Sequence, residues 1–372
     1  MSPPDPVIAT PRVMSRIWGW DILRGLCALA VATYHLMEWQ ALGSLHAFGS
    51  YGVYLFFVLS GASLAYNYSG QLGRARAALG FLATRWLRLA PLYVLVTFAC
   101  IVLYSLHFGV LVDQLPLRLL LNLTFAFGVH DPVVWALPIG GWSLGIEFAY
   151  YLLFPWLLCA VAHPVTRWVL LAALCGAQAS WIASTAGSAA GYAASQVAYH
   201  QLPAFGAYFF AGCLIGQWQR ETPQTLPVAV GALVWLALGG LLWGLNPVLP
   251  GNELLGVRGL VLFGACLAVV VLSGWTRVPQ GLQPLARWLG DITYGTYLLH
   301  PVLFFGFTWF ALPVLTATPV NELAVSVRWA LLGSTLTVAC IAAAASARWL
   351  ESPLRHWGQQ MLARRLRFPV KG

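Results

Sequence analysis

Long apolar runs recur along almost the whole 372-residue chain, separated by short segments rich in Pro, Gly and charged residues. A helix needs about 20 residues to span the hydrocarbon core of a bilayer. Ten runs come close to this length: 17–39, 49–68, 88–109, 142–162, 166–186, 203–218, 226–246, 256–274, 288–310 and 325–348. The pattern predicts an all-α polytopic membrane protein of about ten transmembrane helices.

An eleventh apolar stretch, 115–129, is shorter and contains Arg118 and Asn122. Segments of this length are more often re-entrant or interfacial than transmembrane. We therefore predict that 115–129 does not cross the membrane. The chain divides into a polar N-terminal tail (1–16), a transmembrane domain (17–354) and a basic cytoplasmic tail (355–372).

The composition agrees with a membrane protein. Hydrophobic residues make up 60% of the chain and charged residues 8%, whereas roughly a quarter of the residues in soluble domains are charged. The 18 Trp and 14 Tyr residues fit aromatic belts at two membrane interfaces. The net charge of +9 does not indicate nucleic-acid binding, because the basic residues lie in short gaps between apolar runs.

The basic residues also predict the topology through the positive-inside rule. If the N-terminus is cytoplasmic and 115–129 does not cross, all but three of the 20 basic residues lie on or near the cytoplasmic side. The exceptions are Arg118, Arg258 and Arg328. A crossing at 115–129 would move the Arg277 and Arg287 loop and the basic tail outside. We therefore predict ten crossings and two cytoplasmic termini.

The two ends and the cysteines suggest little chemistry. The first apolar run contains Asp21, Arg24 and His35, and no small-residue cleavage site follows it, so we predict no signal peptide. The basic tail either contacts anionic lipid headgroups or serves only as a stop-transfer signal. The seven cysteines are scattered singly without metal-ligand spacing, and we predict no metal site.

The first apolar run contains an unusual polar stripe. On a helix, Arg24 and His35 point within about 20° of each other and lie roughly 16 Å apart along the axis. Asp21 and Glu38 flank them within about 60°. Such a stripe faces a protein interior or a water-filled cavity, not lipid. His35 is then either a functional group or a structural histidine bonded to a neighbouring helix.

The fourth run begins at Trp142 and carries Ser143 and Glu147 on one helix face, with Tyr150 one turn further on. Glu147 lies at a depth similar to that of His35. A carboxylate beside a histidine can fix its tautomer and raise its basicity. Glu147 therefore either orients His35 or pairs with an arginine for packing.

Two further segments contain candidate binding groups. Arg85 and Arg88 share one side of the helix that begins the third run, and their guanidinium groups suit phosphate oxygens. On this segment alone, positive-inside anchoring is the favoured explanation. In the ninth run Asp291, Tyr294, Tyr297 and His300 recur every three residues and wind around the helix. His300 is either a second polar wall of a cavity or a structural residue.

Together these segments resemble acyltransferase family 3, the bacterial members of the transmembrane acyltransferase superfamily. The similarity runs from about Trp20 to Pro353. The matching motifs are Asp21-x-x-Arg24-Gly25, Arg24 followed after ten residues by His35, FFVLSG at 56–61, Arg85-x-x-Arg88-x-x-Pro91-x-Tyr93, Trp142-Ser143-Leu144-x-x-Glu147, Tyr297-Leu298-Leu299-His300 and Glu351-x-Pro353.

The resemblance implies a fold of roughly ten helices in the bacterial inner membrane. It implies O-acylation of an extracytoplasmic carbohydrate, with an acyl-CoA donor, usually acetyl-CoA, supplied from the cytoplasm. In the family, the residues matching His35 and Arg24 are regarded as essential. Many relatives have a second acidic residue where this chain has Phe148. Some carry a periplasmic hydrolase-like domain that we do not find here, so we expect action alone or with a separate periplasmic partner.

The residues and the resemblance lead to one expected mechanism. Arg85 and Arg88 hold the CoA phosphates, Arg24 lines the path of the donor, and His35 acts as general base with Glu147 orienting it. An acyl-enzyme on His35 or Ser143 is the variant left open. The candidate supporting residues, including oxyanion donors, are Asp21, Ser60, Trp142, Ser143, Tyr150, Tyr297 and His300.

Two other functional classes fit the same pattern. A transporter or flippase of a lipid-linked or polar substrate accounts equally well for many helices with buried charges. A non-catalytic assembly component requires every buried charge to be structural. Consumption of the thioester separates the enzyme from both.

Overall fold

The computed structural model describes residues 14–73, 75–185, 197–246 and 256–366. Its helices, in chain order, are α1 (Trp18–Trp39), α2 (His46–Tyr68), α3 (Ala75–Phe108), α4 (Leu115–Thr124), α5 (Pro132–Trp135), α6 (Trp142–Ala162), α7 (Thr166–Thr185), α8 (Gly206–Glu221), α9 (Val228–Leu245), α10 (Gly256–Trp275), α11 (Gln283–Gly306), α12 (Leu312–Leu315), α13 (Val325–Ser346) and α14 (Ser352–Leu366).

Shorter elements connect these helices. Two π-helical segments, Phe307–Ala311 and Ala347–Glu351, continue α11 and α13. The 3₁₀ turns are Ala126–Val129, Leu202–Ala204, Gln280–Leu282 and Val320–Glu322. Strand β1 (Leu226–Pro227) pairs in parallel with β2 (Thr276–Arg277). The predicted tails fall partly outside the described residues, at 1–13 and 367–372.

Eight helices of the described chain, counted with their continuations, are long and apolar enough to cross a membrane: α2, α3, α6, α7, α9, α10, α11 and α13. The prediction of an all-α, multi-pass membrane protein is therefore confirmed. The bounds of α6 are those predicted, and most others differ by a few residues. The largest difference is α3, which begins at Ala75 rather than at 88, because hydropathy reports only the apolar part of a helix.

The stretch predicted not to cross forms α4, which has only ten residues. The helix ends at Phe125, whose φ of 58° is left-handed and cannot continue a right-handed helix. A 3₁₀ turn, Ala126–Val129, then returns the chain towards α6. The segment is thus too short to span a bilayer as a helix.

Two predicted spans, α1 and α8, are not among the eight apolar helices. α1 contains several charged residues, and α8 has 16 residues. Both occupy the centre of the bundle. α1 packs against α2, α10, α11 and α13, and α8 packs against α2, α6, α7 and α10. A helix surrounded by other helices contacts little lipid, so it need not be apolar on every side.

The central helices have defined relative directions. α1 and α11 run parallel, since Asp21 meets Gly290 near one end and His35 meets His300 near the other. α2 and α8 are also parallel. The backbone of Val58 lies against Gly212, and that of Ala62 lies against Gly216 one turn further along both helices.

The α2–α8 contact depends on glycine. A Cβ atom would lie 2.1 Å from the Val58 carbonyl oxygen if placed on Gly212, and 2.0 Å from that of Ala62 if placed on Gly216. On α2, a Cβ on Gly61 would lie 2.1 Å from the Phe209 oxygen. These distances leave no room for a side chain. Small residues four apart allow this close approach of helices in membranes.

We expect Gly216→Ala to destabilise the protein. The added methyl group must push α2 and α8 apart, and overpacking of this kind costs about 1–3 kcal/mol or more. Gly239→Ala on α9 is the matched control, because nothing lies within 4 Å of its Cβ position. That control should be neutral or stabilising by about 0.5–1 kcal/mol. Thermal unfolding in detergent measures both, and equal melting temperatures would contradict the close contact.

Candidate active site

Two histidines meet between α1 and α11. The Nδ1 atom of His35 lies 3.0 Å from Nε2 of His300, within hydrogen-bond distance. His300 is fully buried and His35 is partly buried. The ring planes differ by 13°, which suits a hydrogen bond because the lone pair of an imidazole nitrogen lies in the ring plane. The polar stripe of α1 therefore faces protein, as predicted.

The backbone determines the proton positions in this pair. Nδ1 of His300 lies 3.0 Å from the carbonyl oxygen of Thr296. A carbonyl only accepts, so this Nδ1 carries the hydrogen, and in the neutral ring Nε2 is an acceptor. His35 must then donate from its own Nδ1. The Nε2 atom of His35 is left with a free lone pair, which is the form required of a general base.

Trp39 covers both imidazoles. Its ring stacks on His35 at a centroid distance of 5.2 Å and an angle of 7°, and on His300 at 5.9 Å and 18°. Trp39 follows His35 by four residues, so both side chains lie on one face of α1. Sequence reasoning missed this residue, although the spacing was visible. Thr296 was missed too, and it precedes His300 by one helical turn.

Glu147 is not placed beside His35. It accepts hydrogen bonds from Ser60 (2.6 Å) and Tyr151 (2.5 Å), both on the same carboxylate oxygen. The predicted orienting carboxylate is thus replaced by a histidine. The reason is helix packing: α6 contacts α2, α3, α7 and α8, whereas α1 lies against α2, α10, α11 and α13. Equal depth in the membrane did not indicate which helices touch.

Arg24 belongs to an ion-pair network near the start of α1. Asp21 is 6% exposed and lies between Arg16, with which it forms an ion pair, and Arg24, whose Nη1 is 3.2 Å away. The other Nη of Arg24 contacts Ser63 and the backbone oxygen of Leu59 on α2. Arg24 therefore joins α1 to α2 while remaining partly accessible.

Arg85 and Arg88 differ in their surroundings. Arg85 donates from Nη2 to the Tyr68 hydroxyl at 3.1 Å, and its guanidinium lies over the rings of Tyr68 and Phe81. Its buried Nε has no hydrogen-bond partner among the described residues. Arg88 is exposed on the same helix. Together they present one unsatisfied buried donor and one accessible cation, which fit a phosphate-bearing ligand.

The remaining predicted residues form a separate polar contact. Tyr297 donates to the Gly140 carbonyl at 2.9 Å, and Ser143 lies 2.8 Å from the Tyr297 hydroxyl. The hydrogen-bond partners of Ser143 are the Tyr297 hydroxyl and the Gly140 carbonyl. Neither is a base, so nothing in this contact activates Ser143 as a nucleophile. The Tyr150 hydroxyl donates to Leu202 O at 2.6 Å, and the Trp142 ring packs on His200 at 4.4 Å.

These bonds limit the candidates for stabilising an oxyanion. A hydroxyl has one hydrogen to donate. That of Ser60 is directed to Glu147 and that of Tyr150 to the backbone. Neither is therefore free to donate to a reacting carbonyl in this arrangement.

The polar residues of α11 wind around the helix, as predicted, and each meets a different element. Asp291 accepts from Arg16, and Tyr294 donates to Leu89 O on α3 at 2.7 Å. Tyr297 reaches the turn before α6, and His300 reaches α1. α11 therefore contacts four segments around the histidine pair: the residues before α1, α3, the turn before α6, and α1 itself.

A family model for the acyltransferase domain of acyltransferase family 3 matches residues 17–345. The chain belongs to acyltransferase family 3. It is accordingly an acyltransferase and a multi-pass membrane protein. No curated protein and no solved structure matches the chain. The matched region of this acyltransferase family 3 member contains both histidines, Asp21 and Arg24, whereas Arg16 lies one residue before it.

We expect Glu147→Leu to destabilise the protein much more than Glu147→Gln. Leucine leaves the buried hydroxyls of Ser60 and Tyr151 without an acceptor, and each such loss costs about 1–3 kcal/mol. Glutamine keeps a carbonyl oxygen at this position. Melting temperatures of the purified variants measure the difference. Equal stability of the two would show that the carboxylate position does not hold α2 and α6 together.

Proposed function

We propose that this acyltransferase moves an acyl group, in the simplest case acetyl, from cytoplasmic acyl-CoA to a hydroxyl of an extracytoplasmic carbohydrate or glycoconjugate. The bacterial inner membrane is the proposed location, and a separate periplasmic protein is the proposed partner if one presents the acceptor. The observation that carries the proposal is the His35–His300 pair, because its hydrogen bonds leave Nε2 of His35 as a free base.

The directions of the helices support ten crossings with both termini cytoplasmic. Seven helices that we take to cross, α2, α3 and α6 to α10, lie between α1 and α11. An odd number of crossings makes α1 and α11 parallel, as observed. If α4 also crossed the membrane, or if α8 did not, the number of crossings between α1 and α11 would be even, and these two helices would be antiparallel. The parallel pair α2 and α8, separated by α3, α6 and α7, supports the same count.

This topology places the proposed donor and acceptor at opposite ends of α1. Arg24, Arg85 and Arg88 lie towards the cytoplasmic end, where donor phosphates arrive. His35 lies about 16 Å further along the helix, in the outer half of the membrane. The donor supplies a thioester whose carbonyl carbon accepts an oxygen nucleophile and whose sulfur leaves.

The residues of the chain have defined tasks in this reaction. His35 Nε2 takes the proton of the acceptor hydroxyl as its oxygen attacks the thioester carbon. The carbon–sulfur bond breaks, and the CoA thiolate leaves with the proton returned from His35. The products are an ester and free CoA. His300 holds His35 in the reactive tautomer and partly compensates the charge it acquires. A positioned general base contributes typically about 10²–10⁴ in rate.

We expect His35→Ala to abolish acyl transfer. Purified protein, acetyl-CoA labelled in the acetyl group, and added glycans allow CoA release and label transfer to be followed together. Loss of about 10²-fold or more is expected, because the base is removed. Trp156→Ala on the outer side of α6, where the side chain is 71% exposed, is the control. Undiminished turnover in His35→Ala would remove His35 from the chemistry.

The same measurement of CoA release distinguishes an acyltransferase from the alternative functional class, a transporter or flippase. A transporter or flippase moves its substrate without consuming thioester. If wild-type protein of confirmed fold released no CoA with any donor and acceptor offered, the transferase proposal would be abandoned in favour of transport.

His300 is proposed as a positioning residue, and the identity of its replacement tests this. Gln at 300 can accept the His35 hydrogen bond through its amide oxygen, whereas Leu cannot. We expect His300→Leu to lower kcat by at least about tenfold and His300→Gln to retain more activity, with the KM for the donor little changed. A pH–rate profile should shift in His300→Leu. Equal kcat and profiles for both variants would reduce His300 to a packing residue.

A further inference from the structure

A pocket of about 380 Å³ lies at the end of α1 and α11 nearest the histidine pair. The pocket is lined by Trp39 of α1, by Phe304 and Phe305 of α11, by Thr308 and Trp309 of the π-helical continuation, and by residues from Leu312 to Val320 in α12 and the segment after it. The volume lies in the lower part of the range of small-molecule sites. On the proposed topology the pocket is extracytoplasmic.

Trp39 connects this pocket to the histidine pair. Its indole stacks on His35 and His300 and also lines the pocket. Phe304 and Phe305 pack against Trp39 at 5.3 and 4.8 Å. A molecule in the pocket therefore contacts the ring that covers the proposed base. One aromatic side chain separates the pocket from His35.

Trp309 also lines the pocket, and Phe305 packs against it at 5.0 Å as well as against Trp39. Trp309 lies in the π-helical segment Phe307–Ala311, and its ring stacks on His107 of α3 at 4.3 Å and 8°. Single π-helical turns within α-helices occur often at functional sites. Here the π turn places Thr308 and Trp309 together on the pocket wall. Two indole rings thus border the space.

The chemistry of the lining selects the ligand. None of the described residues that line the pocket is ionisable, so a charged group there would lose hydration without gaining a counter-charge. Thr308, Thr316 and Thr318 supply hydroxyl groups. That of Thr308 donates its hydrogen to Phe304 O at 3.0 Å, so it can only accept from a ligand. Thr316 Oγ1 accepts the backbone N–H of Thr318 at 3.1 Å, which fixes that turn. Flat apolar rings combined with neutral hydroxyls suit a ligand that has a C–H face and hydroxyl edges.

We propose that this pocket binds an uncharged sugar ring of the acceptor, which packs against the aromatic rings of Trp39 and Trp309. The inference rests on the proposed transfer to a carbohydrate. It adds the class of sugar that the acceptor presents: a neutral monosaccharide unit, not a uronic acid or phosphosugar. With the ring seated there, a hydroxyl passes the edge of Trp39 to reach His35. Specificity for the acceptor is thus set by the α11 continuation and the loop after it.

Binding of simple glycosides to the full-length protein without donor tests the pocket separately from catalysis. The probes are methyl glucoside, methyl galactoside and methyl mannoside, with methyl glucuronide as the charged counterpart and choline as a ligand for aromatic cages. Thermal shift and tryptophan fluorescence report binding. At least one neutral glycoside should bind, and both charged probes should bind at least about tenfold more weakly.

Two variants locate the site. Trp309→Ala should weaken glycoside binding about tenfold, the value of one lost aromatic contact. Thr318→Tyr fills the mouth of the pocket from an exposed position and should block binding even if Trp309→Ala unfolds. Trp156→Ala, distant from the pocket and 71% exposed, should bind as wild type does. In turnover assays the pocket variants should raise the KM for the acceptor more than they lower kcat.

Several results would overturn the proposal: no binding of any neutral glycoside to wild type, equal binding by Thr318→Tyr, or preferential binding of the glucuronide or of choline. These failures are distinguishable from failure of the transferase itself. Glycoside binding with no thioester consumption would retain the pocket and reject the proposed function. Acyl transfer that is lost in His35→Ala, without glycoside binding, would retain the proposed function and reject this pocket.

Discussion

Two imidazole nitrogens 3.0 Å apart require two helices held in close and fixed register. α1 and α11 meet this requirement because a glycine on each helix leaves room for a side chain of the other. A Cβ on Gly25 would lie 2.6 Å from the Cβ of Leu289, and one on Gly290 would lie 2.8 Å from Oδ1 of Asp21. The same contact aligns Asp21 at one end and His35 at the other. The ion pairs, the histidine pair, its Trp39 cover and the pocket beyond all depend on it.

Inside a bilayer, polar groups find partners only in protein or in enclosed water. Under this constraint the buried polar residues form several hydrogen-bonded centres, and His35 and Glu147 belong to different ones. One consists of His35, His300 and the Thr296 carbonyl, and its hydrogen bonds leave a free base. The other is the Glu147 carboxylate, whose bonded oxygen holds two hydroxyls and joins α2 to α6. Next to it, Phe148 packs on Phe125 at 5.2 Å, so an aromatic contact occupies this position.

The arrangement of the bundle follows from the same constraint. Helices with charged or small residues, α1 and α8, are central, and helices rich in large apolar residues surround them. The faces of α1 and α8 can then be polar or glycine-rich without exposing backbone or charge to lipid. Eight of the described helices are long and apolar enough to cross a membrane. α1 is not among them because it contains several charged residues, and α8 is not because it has only 16 residues.

The sequence alone determined the class of fold, most helix bounds, the short apolar segment that forms α4, the polar face of α1 and the family, because these depend on local composition, period and motif. Contacts between helices distant in sequence were decided only by the tertiary structure. It paired His35 with His300 rather than with Glu147, because α6 packs away from α1. It also brought Trp39 and Trp309 to one pocket. Periodicity tells which face of a helix is polar, whereas only packing tells what that face meets.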